Sequence, residues 1–260
     1  MHGRAYFSRG DALSALTSTP VALSAALTRQ IRKGRLANPR QGFYIVLRPE
    51  DRIAGAPDPV CWIDPLMKHL TLDYRVSLLR AAAFHGASHQ AAMVFQVIVP
   101  KQLRSVEIGR HRLEFVYQIP AAFVAANQKH YLGSLKSAAG FAKVAGVELT
   151  LLDCARYFHR AGGISGLAQI VKDIGGQAKP RNLVSAAVHY ENSSVRRLGY
   201  LLEYAGHMRQ ANALQTFVKQ AKSTVLLDPA VKPLIEGSDE PHKNASQWML
   251  VINTPVEIDS

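Results

Sequence analysis

With 260 residues, 48% of them hydrophobic and 19% charged, the chain can form one large domain or a small module plus a medium one, and it can bury a core, which excludes disorder as the default. Its 31 Lys and Arg against 19 Asp and Glu leave a formal net charge of +12 and a pI near 9.9, a balance that favours polyanions and nucleic acid above all. The opening residues lack the apolar core of a signal peptide and no run approaches a membrane span, so the expectation is a cytoplasmic protein with no membrane partner.

The charge is uneven. Residues 1–52 hold nine basic side chains against three acidic ones, a net +6, and the other 208 residues share the remaining +6. The phosphate-facing part is therefore expected at the N-terminal end. Cys61 and Cys154 lie far apart in apolar contexts and match no metal-ligand spacing, so both are expected to be reduced and structural.

Ser8 as an N-cap with Asp11 three residues on predicts a short helix ending near Leu16, with Ala12, Leu13 and Leu16 as its apolar positions. Residues 17–20 form a turn, and Pro20 suits the first position of a second helix that runs to about Lys33 and stops at Gly34. Leu23, Leu27, Gln30 and Ile31 make its core-facing stripe. The other side, with Val21, Ala22, Ser24, Ala25, Thr28, Arg29 and Arg32, is small, hydroxylic or basic. Small residues let a helix sink into a groove, hydroxyls reach phosphates, and an arginine can fork onto a guanine edge.

Residues 35–47 read as strand, turn and strand, with Pro39, Arg40 and Gly42 in the turn and aromatic and β-branched residues on the return. Helix, turn, longer helix and basic-tipped hairpin is the order of a winged helix-turn-helix. Such modules carry a further helix before the short one; only six residues precede Phe7, so that helix is missing, replaced or supplied from elsewhere. The reading assigns Ser24, Thr28, Arg29, Arg32, Lys33, Arg35, Arg40 and Gln41 to double-stranded DNA. Arg29 and Arg32 are expected to choose bases, and Ser24, Thr28 and Arg40 to hold the backbone.

A connection over 53–72 follows, where Gly55, Pro57, Pro59 and Pro65 limit helix and Asp64 caps a short one through Leu66, Met67 and His69. Beyond it the pattern predicts a helix over 73–86 stopped by Gly86, strands over 94–99 and 106–117 hinged near Gly109, helices over 149–160, 164–174, 194–204 and 211–221, and a buried strand over 248–253. The fold class is α+β: an N-terminal winged helix-turn-helix over 1–52, the connection over 53–72, and a larger mixed α/β domain over 73–260.

Nothing in the sequence suggests catalysis or a cofactor. His85 and His89 are four apart, but Gly86 breaks the helix between them and no third ligand is positioned, so a helix-ending loop is the expected reading and no metal is assigned. Glu148 and Asp153 fall on different helix faces, with Thr150 read as a cap, and the Gly162-Gly163 and Gly175-Gly176 pairs read as helix stops. No nucleophile elbow, Cys–His pair or carboxylate cluster appears.

Several blocks carry a resemblance: KGRL at 33–36 through GFYI at 42–45, LLRAAAFHGASHQ at 78–90, TLLD at 150–153 with Gly162-Gly163, and VRRLGYLLE at 195–203. Together they resemble the AbiEi antitoxins of type IV toxin–antitoxin systems over almost the whole chain. The resemblance implies a transcriptional repressor acting at inverted repeats in its own promoter. It also implies a C-terminal domain that counteracts a nucleotidyltransferase toxin without a stable complex, in abortive infection against phage. Arg196 and Arg197 open a helix whose Leu198, Leu201 and Leu202 are expected to be buried, leaving at least one guanidinium outward as a candidate for antitoxicity. The alternative is a solitary winged-helix regulator of other genes without a toxin partner.

Overall fold

The computed structural model describes residues 5–87, 94–137, 140–232 and 244–258. It is a mixed α+β protein with ten helices among these residues. Two compact units divide the chain, one of Met1–Val76, Met93–Pro120 and Ser134–Val144, the other of Ser77–Ala92, Ala121–Gly133 and Ala145–Ser260.

The first unit opens with strand β1 (Tyr6–Ser8), helices α1 (Arg9–Ala15) and α2 (Pro20–Arg32), and strands β2 (Leu36–Arg40) and β3 (Phe43–Val46). The cap over α1 forms as expected: Ser8 Oγ accepts from Asp11 N at 3.0 Å while Asp11 Oδ2 accepts from Ser8 N at 2.8 Å. Thr19 caps α2 through Ala22 N, Pro20 is its first residue, and Gly34 leaves it at φ +61°. Ala12, Leu23, Leu27 and Tyr44 form a small core with Phe7, Leu13 and Leu36 against it, while Ile31 and Leu16, expected inside, are exposed. The sequence showed no β1, because three residues carry no periodicity; its pairing with β3 creates it and gives the sheet order β1-β3-β2. The β2–β3 turn is shorter than expected. Pro39 and Arg40 lie in β2 beside a register shift, and only Gln41 and Gly42, the latter at φ +78°, make the turn.

Next come α3 (Ile63–His69), β4 (Arg75–Val76), β5 (Val94–Val99), β6 (Val106–Ile108), β7 (His111–Tyr117), β8 (Leu132–Ser137) and β9 (Gly140–Ala145). Asp64 does not cap α3; it sits in the first turn and accepts from Lys68 Nζ at 2.7 Å and Tyr74 OH at 3.1 Å. The strands order as β6-β7-β5-β4-β9-β8, with β5 parallel to β7 and β4 parallel to β9. Gly109 turns β6 into β7 at φ +56°, and a Cβ there would lie 1.9 Å from the Ala54 carbonyl.

The second unit holds α4 (Leu78–Phe84), α5 (Pro120–Ala126), α6 (Val147–Arg156), α7 (Gly163–Ile174), α8 (Pro180–Ala187), α9 (Asn192–Tyr204), α10 (Met208–Lys219) and the short strands β10 (Val225–Leu226), β11 (Asn244–Ala245) and β12 (Leu250–Val251). The helix expected over 73–86 shrinks to α4. Arg75 and Val76 are fully buried and pair with β5, so sheet formation overrides helix propensity there. Thr150 lies inside α6, donating to the Ala145 carbonyl, and is not its cap. The strand expected over 248–253 reduces to β12, because Trp248 closes a 3₁₀ turn and its buried ring lies against α9. A Cβ at Gly199 would come within 1.9 Å of that ring, which explains a glycine in mid-helix.

Candidate nucleic-acid interface

Between Asp11 and Glu50 the chain has no acidic residue and six basic ones. Within this stretch α2 turns Leu23 and Leu27 into the core and leaves Val21, Ala22, Ala25, Thr28, Arg29 and Arg32 exposed. Arg29, Arg32, Lys33 and Arg35 are exposed and make no side-chain hydrogen bond or ion pair with a described residue. Four neighbouring cations without carboxylate partners repel one another, and at the end of α2 and the following turn they give the surface a concentrated positive charge.

The hydroxyls are less free than their spacing suggests. Ser24 Oγ donates to the Pro20 carbonyl at 2.8 Å and Thr28 Oγ1 to the Ser24 carbonyl at 3.0 Å, the back-bonding that helical Ser and Thr adopt. Ser24 Oγ also accepts from Arg9 Nη2 at 2.7 Å, and Arg9 reaches the Pro20 carbonyl at 3.2 Å. Arg9, which the sequence reading left out, thus crosses from the start of α1 to the first turn of α2. Its signal was available only as an exposed arginine beside the α1 cap.

Arg40 stands apart from the other cations. Its guanidinium lies over the Phe115 ring, 5.5 Å from the centroid, and donates from Nη2 to the Arg104 carbonyl. Burial and the neighbouring Arg104 charge lower its pKa. Gln41 is exposed at the turn, with its carbonyl 3.2 Å from His69 Nε2.

In the second unit the expectation of an outward guanidinium at the start of α9 is corrected. Arg196 and Arg197 are 3% and 4% exposed. Arg196 Nη1 donates to the Ser223 carbonyl at 3.1 Å and the Met249 carbonyl at 2.9 Å; Arg197 donates from Nε to the Leu227 carbonyl at 2.7 Å and from Nη1 to the Ala155 carbonyl at 3.2 Å. Arg197 also packs on Phe158, and burial pushes its pKa down to about 10. Leu198, Leu201 and Leu202 are buried as expected; the arginines join them because the chain around β10 and β12 supplies carbonyl acceptors that no helical periodicity reveals.

Asp153 is fully buried and accepts from Ser77 Oγ at 2.6 Å and Tyr190 OH at 2.7 Å, joining α6 to the start of α4 and the end of the α8 segment. His85 Nε2 lies 2.7 Å from the Ala145 carbonyl; Ser88 and His89 lie outside the described residues. Among the described residues no group of His, Cys, Asp or Glu could hold a metal, and no helix is long and apolar enough to cross a membrane.

Residues 75–204 match the model of a protein family described as AbiEi antitoxin C-terminal domain. No curated protein matches the chain. The fold is similar to that of a solved crystal structure, the RV2827C protein from Mycobacterium tuberculosis, with a TM-score of 0.62 and 15% identity over 95% of this chain and 86% of that one.

Proposed function

The chain belongs to the AbiEi antitoxin family, and from that premise we propose that it is a cytoplasmic, non-catalytic antitoxin of a type IV toxin–antitoxin pair that represses its own operon and counteracts a nucleotidyltransferase toxin. The antitoxin role rests on the family match across α4 to α9. The repressor role is carried by one observation, the stretch between Asp11 and Glu50 that has six cations and no acid and folds into two helices and a hairpin.

The element order β1-α1-α2-β2-β3 and the sheet order β1-β3-β2 support a winged helix-turn-helix reading of this module, with α2 as the recognition helix and β2–β3 as the wing. In that reading β1, directly before α1, pairs with the wing strand β3. Arg29 and Arg32 approach base edges of inverted repeats in duplex DNA, while Lys33, Arg35 and Gln41 meet the backbone.

The test joins a footprint on the chain's own promoter to growth rescue when chain and nucleotidyltransferase toxin are expressed from unrelated promoters. Protection of an inverted repeat together with restored growth is the expected result. A footprint without rescue would instead favour a regulator with no toxin partner.

A further inference from the structure

Beside the first turn of α9 a cleft of about 370 Å³ opens between that helix, β10 and β12. Ser193, Thr224 and Arg197 contribute its polar wall, and Val225, Leu226 and Val251 its apolar one. Arg197 is buried, yet its Nη2 donates to no described residue, and neither the Ser193 nor the Thr224 hydroxyl bonds one.

The charge balance around this cleft is incomplete. Arg196 and Arg197 are adjacent buried cations, and every hydrogen bond they make to a described residue ends on a neutral carbonyl. Among the described residues Asp228 is the one carboxylate whose charge acts on Arg197, and it does so through space, without a hydrogen bond or ion pair to the guanidinium, while its Oδ1 lies 2.9 Å from Ala230 N and 3.7 Å from His159 Nε2. Taking a cation out of water without an opposite charge in contact is costly, and an anion seated against Arg197 would offset that cost. A guanidinium edge and two hydroxyls suit an oxyanion, and the apolar wall suits a carbon body attached to it.

We propose that this cleft binds a small amphipathic anion, a phosphate or carboxylate group carried on an apolar body, with Arg197, Ser193 and Thr224 holding the oxyanion. The site is separate from the DNA-binding reading and does not depend on it.

The experiment uses the full chain and follows thermal unfolding against phenyl phosphate and benzoate, with sodium chloride at matched ionic strength as the control. A saturable rise in melting temperature with either probe is expected, and which probe acts assigns phosphate or carboxylate. Thr224→Val should raise the half-saturating concentration about tenfold, the loss of one charge-assisted hydrogen bond. Arg197→Gln is the direct variant but can fail to fold, so Ser193→Asp serves beside it. That change puts a carboxylate in the cleft at the start of α9, where negative charge is favourable to the helix, and should yield a folded protein that no longer responds to the probe. Absence of a saturable shift in the parent chain overturns the proposal, as does an unchanged response in both Ser193→Asp and Thr224→Val, which would place the anion elsewhere.

Discussion

Arg9 Nη2 donates to Ser24 Oγ at 2.7 Å, and Ser24 spends its single proton on the Pro20 carbonyl. Ser24 therefore has no proton for a phosphate, whereas Arg9 retains further N–H groups on an exposed side chain. Arg9→Ala is expected to weaken duplex binding about five- to tenfold and Ser24→Ala less than about twofold, the difference expected between a charged and a neutral hydrogen bond. Fluorescence anisotropy on promoter DNA checks this, and equal losses would return the phosphate contact to the hydroxyl.

Arg40 is held against Arg104 and Phe115, so its removal should act on stability before it acts on binding. Arg40→Ala should cost about 1–2 kcal/mol in urea unfolding, from one charged hydrogen bond and a partly exposed cation–π contact. Arg29→Ala should leave stability within about 0.5 kcal/mol, since its exposed side chain bonds no described residue. The reverse pattern would make Arg40 a free wing residue.

These two arginines illustrate what the sequence could convey. The caps at Ser8, Thr19 and Pro20, the stop at Gly34 and the buried stripe of Leu23 and Leu27 are local events, set by residues within a few positions of one another, and all are legible. The spans of β5 and of the paired β6 and β7 are legible for the same reason. Arg40 and Arg104 are 64 residues apart, Arg197 and Leu227 30, and Asp153 and Ser77 76; such contacts leave no periodic trace. Strands as short as β1 and β4 exist only through their partners, and helix propensity in the alanine-rich run after Tyr74 pointed the other way.

Asp153 is a structural carboxylate on this geometry. Tyr190→Phe removes one donor and should cost about 1–2 kcal/mol, whereas Asp153→Ala strands two buried hydroxyls and should cost about 3 kcal/mol or more. Urea unfolding measures both, and a neutral Asp153→Ala would show that the network contributes nothing to stability.

Burial pushes the Cys154 thiol well above its ordinary pKa, with the neighbouring Asp153 charge adding to the effect. A thiol raised in the folded state stays neutral there after the unfolded chain has begun to ionise. Its contribution to stability is therefore present below about pH 9 and lost above it. In the folded protein a thiol reagent should titrate the half-buried Cys61 alone, with Cys154 reacting only in denaturant. Rapid labelling of both in buffer would contradict the burial.

Repression and antitoxicity should separate, because the exposed cations of α2 and the family-matching helices belong to different compact units. Arg29→Ala combined with Arg32→Ala removes two unpaired surface charges and should leave the fold intact. The pair should cost about 2–6 kcal/mol of operator affinity if both arginines fork onto bases, and much less on random duplex. Deleting residues 1–52 is a poorer test, since it would strip Arg40 from its contacts with Arg104 and Phe115 inside the first unit and expose the surface they cover. The double variant is therefore expressed beside a promoter reporter and, separately, with the toxin under an unrelated promoter, with protein levels followed by immunoblot. Derepression with full growth rescue is expected. If the stably expressed variant fails to rescue, protection runs through DNA binding and the α4-to-α9 region does not neutralise the toxin by itself.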